Sequence, residues 1–108
     1  MKLTGNDIAN YFGALNNIVN KTMSGRLAIA VFSNIKTIEP HNEAIVSAVR
    51  KVNEQHIECK DKLEEEFKAI SEQEFEISDF KKVSATEFDS CNDITPADIY
   101  RLQFMIEQ

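Results

Sequence analysis

The chain is poor in the residues that usually betray an activity. Its two cysteines, Cys59 and Cys91, are too few and too far apart to build a disulfide framework or a zinc cluster, and reduced thiols are expected. His41 and His56 add little. His56 and Cys59, three residues apart, could share a helix face, but a structural zinc takes about four ligands and only Cys91 and His41 are left to supply them. The same residues are all that a Cys–His nucleophile could draw on. No metal, cofactor or catalytic group is therefore expected, and the chain reads as non-enzymatic. Gly5, Gly13 and Gly25 are scattered and do not form a phosphate loop. The longest apolar run, Leu27 to Phe32, falls far short of the roughly 18 residues of a membrane span. Met1-Lys2-Leu3 leads into Thr4-Gly5-Asn6-Asp7 rather than an apolar signal core, so a cytoplasmic protein is expected. There is no internal repeat and no low-complexity segment.

What the sequence does contain is helical periodicity. A hydrophobic content of 43% and a charged content of 28% over 108 residues fit one globular domain spanning 1–108. Leu27, Val31, Ile35, Ile38, Ile45, Val49, Val52, Ile57, Leu63, Phe67 and Ile70 form a ladder whose steps are mostly three or four residues or multiples of them. It keeps its phase across Pro40, since Ile38 and Ile45 are one heptad apart. The pattern predicts a long helix over 25–70, roughly 65–70 Å in length. Pro40 either kinks that helix or breaks it, and the preserved phase favours the kink. An arm of this length needs a partner along it.

Other elements are announced locally. Thr4 and Asp7 approximate a capping box, and Ile8, Phe12, Leu15 and Val19 give one apolar stripe, predicting a helix over 5–19. Ser24 or Thr22 can cap the arm, and the short connection makes an antiparallel helical hairpin whose first helix faces Leu27, Val31 and Ile35. Phe75-Glu76-Ile77-Ser78 alternates as a strand does, with an extended region over 74–83. That strand must pair either in a tiny β-hairpin or with a second chain. Ser84 and Glu87 mark one helical turn ending near Phe88. Thr95, Pro96 and Asp98 then start a C-terminal helix over 96–107 that carries Ile99, Leu102, Met105 and Ile106. The fold class is mainly α with a small β part (α+β), the last helix packing back on the arm.

Charge is distributed unevenly. Residues 1–56 carry six Lys/Arg against four Asp/Glu, whereas residues 57–108 carry six against fourteen. An acidic half repels phosphates, which argues against direct nucleic-acid binding and suits a basic partner surface. The candidate interaction surface is Glu58, Asp61, Glu64, Glu65, Glu66 and Glu72, together with Tyr100 and Phe104 from the last helix. Its plainer reading is a solvated helix face held by the pairs Glu58–Lys62 and Glu64–Lys68, with the aromatics in the core.

The segments Asn6-Asp7-Ile8 through Ala14-Leu15-Asn16-Asn17, Ala28-Ile29-Ala30-Val31-Phe32-Ser33-Asn34-Ile35-Lys36, and Ile94-Thr95-Pro96-Ala97-Asp98-Ile99 with Phe104-Met105-Ile106-Glu107 resemble a group of small uncharacterised proteins encoded by phages and prophages of bacteria. Pro40 and a short link between Val52 and Glu74 depart from that group. The resemblance implies a phage or prophage origin and no established activity. With it, the expectation is an accessory protein acting through protein contacts, in virion assembly or on a host factor. The alternative is an acidic inhibitor of a host nucleic-acid-binding protein, such as a defence or replication factor. Self-association as a homodimer or larger oligomer is expected, because both the arm's far half and the strand need partners.

Overall fold

The computed structural model describes residues 1–89 and 91–107. Strand β1 (Lys2–Thr4) runs directly into helix α1 (Gly5–Ile18); helix α2 (Gly25–Gln55), helix α3 (Lys60–Glu72) and strand β2 (Glu74–Glu76) follow. A 3₁₀ turn at Ala85–Phe88, helix α4 (Pro96–Arg101) and a second 3₁₀ turn at Gln103–Met105 complete the order. The protein is mainly α with a two-stranded antiparallel sheet, as the periodicity predicts.

Both capping boxes form. The Asp7 N–H donates to Thr4 Oγ1 at 3.1 Å while the Thr4 N–H donates to Asp7 Oδ2 at 3.1 Å, and Thr95 and Asp98 repeat the arrangement before α4. Ser24 caps α2 by accepting from the Leu27 N–H at 3.2 Å. Helix α1 folds back on α2, burying Ile8, Leu15 and Ile18 among Leu27, Val31, Ile35 and Ile38.

The long arm differs from expectation in where it ends. Helix α2 passes through Pro40 without interruption and stops at Gln55; the chain then reverses over residues 56–59, and α3 packs antiparallel on the far half of α2. Pro40 is tolerated because it lies on the exposed face, where the Lys36 carbonyl that its missing N–H leaves free is open to water. The reversal follows a slip in the ladder. Val52 to Ile57 is a five-residue step, which turns Ile57 off the stripe, and Leu63, Phe67 and Ile70 start a new phase. Ile57 is 73% exposed in the turn. The far half of the ladder is thus covered only in part by its own continuation, with Ile45 buried, Val52 half-buried and Val49 exposed.

The strand also finds its partner within the chain. β2 pairs with β1, matching Lys2 to Glu76, Leu3 to Phe75 and Thr4 to Glu74, rather than with residues 80–83 in a hairpin. Residues 77–82 belong to no strand or helix. Val83 makes an isolated parallel bridge to Ile106 through Val83 N–H to the Met105 carbonyl at 2.9 Å and Glu107 N–H to the Val83 carbonyl at 2.8 Å. The C-terminal helix is shorter than 96–107, ending at Arg101 before the second 3₁₀ turn. It packs chiefly on α1 instead of on the arm.

Two residues fix these elements to one another. Asn34 falls on the buried stripe of α2 and uses both ends of its amide on one backbone unit. Its Nδ2 donates to the Lys81 carbonyl at 2.9 Å, and its Oδ1 accepts from the Lys81 N–H at 2.7 Å. Gly5 opens α1 against the end of α3; its N–H donates to the Gln73 carbonyl at 2.9 Å, and a Cβ there would collide with the Ile70 carbonyl oxygen.

The long dimension of the molecule is 50 Å against 26 and 19 Å, and the radius of gyration is 16.0 Å, compared with about 13 Å for a compact domain of this length. Helix α2, about 46 Å long, runs along that axis. No helix among the described residues is long and apolar enough to cross a membrane.

Asn34→Ala deletes both hydrogen bonds to Lys81, and chemical denaturation is expected to show a loss of about 1–3 kcal/mol. Gly5→Ala pushes a Cβ into backbone that has no rotamer by which to yield, and a loss of about 1–3 kcal/mol is expected in the same measurement.

Candidate functional site

The acidic residues sit where α3 projects. Leu63, Phe67 and Ile70 are its half-buried face toward α2 and the base of the molecule, where α1, the near half of α2 and the C-terminal segment share a core, and no residue of α3 is fully buried. Helical spacing therefore puts Asp61, Glu64, Glu65 and Glu72 on the opposite, exposed face. Glu66 lies at the margin, half-buried, and Glu58 is exposed in the reversal. The ion pair found within α3 among the described residues is Lys62–Glu65 at 3.9 Å, in place of the four-residue pairs expected. Three lysines, Lys60, Lys62 and Lys68, dilute the five carboxylates of this helix.

The two aromatic members of the candidate surface lie elsewhere. Tyr100 is exposed on α4, but Phe104 is half-buried in a cluster, stacked on Tyr11 at 4.2 Å between ring centroids and tilted against Phe80 at 4.9 Å. Burial, with a smaller contribution from Asp7, raises the Tyr11 phenol above its ordinary value. Tyr100 also cannot join the acidic ridge. Its helix is tied to the C-terminal end of α1 by contacts to Asn17 and to Lys21 just beyond it, while α3 meets the N-terminal end at Gly5, about 20 Å away along a 14-residue helix. The eight residues therefore form an acidic ridge, an isolated exposed ring and a packed one, rather than a single surface.

The tie to α1 was not foreseen from the spacing of Thr95 and Asp98. Beyond closing its capping box, the buried Asp98 carboxylate accepts from Asn17 Nδ2 at 2.7 Å and Lys21 Nζ at 2.8 Å. The Lys21 hydrogen bond, followed by that from the Thr95 N–H, holds its pKa down to about 2. A lysine two residues past Val19, the last member of the apolar stripe, was the available sign.

Cys59 is exposed at the reversal, next to half-buried His56. Cys91 is buried in the base, its thiol directed to the Glu87 carbonyl at 3.5 Å, and His41 lies edge-on to Phe75 at 5.8 Å. Among the described residues no group of three or more His, Cys, Asp or Glu is placed to hold a metal ion.

A second exposed feature is apolar. Burial along α2 ends with Ile45; Val49, one turn further along the same stripe, is 38% exposed, and Ile57 in the turn is more so. The far end of the α2–α3 hairpin therefore combines uncovered aliphatic side chains with the flanking acidic ridge. Compared with protein-family models, curated proteins and solved structures, the chain matches none.

Asp98 sets a pH dependence. A carboxyl whose pKa is lower in the folded than in the unfolded chain stabilises the fold above its unfolded value, near 4, and that contribution is lost as pH falls toward about 2. The difference in Tm between the wild-type protein and Asp98→Asn is expected to be constant above about pH 5 and to shrink steadily between about pH 4 and pH 2 in thermal melts followed by circular dichroism.

Proposed function

We propose that this chain is a non-enzymatic accessory protein that works through protein–protein contacts. The observation that carries this reading is the end of the α2–α3 hairpin, which extends the molecule along its 50 Å axis and leaves Val49 and Ile57 exposed. Burying such aliphatic surface against a partner yields roughly 25 cal/mol per Å², and a projecting hairpin can enter a groove that a compact domain cannot. The phage or prophage setting is supported by the resemblance of the 6–17, 28–36 and 94–107 segments. In that setting the protein acts in the host cytoplasm or in the virion, on a phage structural protein or a host factor. The exposed carboxylates of α3 favour a basic rim on that partner, which also keeps in view the alternative of an acidic inhibitor occupying a nucleic-acid site on a host protein.

Quantitative affinity capture from bacterial host lysate separates the readings. The double substitution Val49→Asp with Ile57→Asp, at positions exposed enough to leave the helical circular dichroism unchanged, is expected to weaken capture of the enriched partner roughly tenfold or more. Reversal of Asp61, Glu64 and Glu65 to Lys is expected to change mainly its salt dependence. Capture insensitive to the Asp substitutions but abolished by charge reversal establishes the inhibitor reading instead. Capture insensitive to both, or absent, overturns the proposal.

A further inference from the structure

The outward face of α2 carries a second pattern, separate from the buried ladder. Ile29, Phe32, Lys36, Glu39, Glu43 and Val46 follow one another in alternating steps of three and four residues, the seam spacing of a two-stranded coiled coil. All six are exposed, Ile29 by 60%, Phe32 by 50% and Val46 by 46%. Among the described residues none of the three charged members is in an ion pair.

We infer that this seam binds a second copy of the chain, the two α2 helices pairing antiparallel about a two-fold axis level with the Thr37–Ile38 bond. Two of the three pairings in that register are complementary, one apolar and one charged, and the third sets Phe32 beside a carboxylate at some cost. Ile29 meets the partner's Val46, Lys36 meets the partner's Glu39, and Phe32 meets the partner's Glu43, each pairing occurring twice, as a two-fold interface requires. Neighbouring arrangements lose the match. Parallel pairing sets Lys36, Glu39 and Glu43 each against its own copy. Sliding the antiparallel pair by one heptad brings Glu39 against the partner's Glu43 in one direction, and Ile29 against the partner's Glu39 in the other. Polar residues within a seam fix register at a cost in stability, so the dimer is weak, in the micromolar range expected of a small interface. The helices overlap from Gly25 to Arg50, about 39 Å. The pairing leaves the end of the α2–α3 hairpin free and would present two of them, at opposite ends of the dimer.

This inference rests on the contact-based reading above and names one of the partners. It is tested by mass alone, so it and the capture experiment can fail separately. Sedimentation equilibrium of the wild-type protein from about 5 to about 500 μM is expected to show reversible dimerisation. Lys36→Glu, and separately Glu39→Lys, should each weaken the dimer by about tenfold or more, and the double swap should restore it to within about threefold. As a second measurement, Ile29→Cys combined with Val46→Cys in a Cys59→Ser background should oxidise readily to a covalent dimer, whereas Ile29→Cys alone should not. A protein that stays monomeric throughout that range overturns the proposal. So does a dimer indifferent to the charge substitutions, or one cross-linked equally by Ile29→Cys alone, since each places the interface or its register elsewhere.

Discussion

Burial of the α2 stripe from Leu27 to Ile45 is the contact on which the other elements depend. A helix of 31 residues cannot be covered by one neighbour in a chain of this size, so different segments cover different stretches of it. Helix α1 takes the first half with Ile8, Leu15 and Ile18. The C-terminal third adds Phe80, Val83, Leu102, Met105 and Ile106 to the same core, and α3 returns over the second half. Each fully buried aliphatic side chain contributes about 1.5–3 kcal/mol, offset by the chain entropy of ordering the segment that carries it. That balance favours the base, where four elements share one core. It is thinner at the far end, where α3 buries no residue completely.

Hydrophobic burial alone would leave residues 77–107 free to slide over the helices, because they contain little regular structure. Their register is set by polar contacts that work at only one position. Asn34 offers one donor and one acceptor spaced for a single backbone unit, and Lys81 supplies it. Asp98 gathers Asn17 from α1, Lys21 from the turn that follows it, and the Thr95 N–H from its own helix start. Misplacing either group strands a buried polar atom, which costs more than the hydrogen bond gains. Among the described residues no buried side-chain polar atom lacks a partner, so the irregular third of the chain is held as specifically as the helices.

The parts of this arrangement that are written locally could be read from the sequence. Thr4 with Asp7 and Thr95 with Asp98 are complete signals, because a capping box needs only residues three apart. The stripe of α1 and the near half of α2 were equally legible as single-period patterns. The reversal at 56–59 was missed because Gln55-His56-Ile57-Glu58-Cys59 contains no Gly, Pro or Asn. Its sign was the five-residue step from Val52 to Ile57, which a reading tolerant of irregular steps absorbs. β1 was missed for another reason. Three residues have no period to detect, and their pairing is settled only when the reversal brings Glu74–Glu76 beside them. Asn34, a polar residue in phase with Val31 and Ile38, marked a buried contact, but nothing in the sequence around it pointed to a backbone partner 47 residues away. The candidate surface was half legible on the same grounds. The exposed face of α3 follows from helical spacing, whereas the separation of Tyr100 from Phe104 depends on tertiary packing around Tyr11.

The thin core at the far end and the exposure of Val49 have one cause. A helix hairpin gains stability from the layers packed on it, and beyond Ile45 only α3 is present to pack. Local opening free energies fall where buried contacts are few, so α3 and the end of α2 form the least stable part of the fold, whereas the outward seam between Ile29 and Val46 runs chiefly along the part of α2 anchored in the common core. The two surfaces therefore differ in what binding requires. The partner proposed for the hairpin end would complete a layer that the chain does not supply and gain by ordering it, which suits a groove able to adapt to the helices. The second copy proposed for the outward seam would meet a helix already held straight against its core and lose little entropy, which would let a weak and reversible contact keep a defined register.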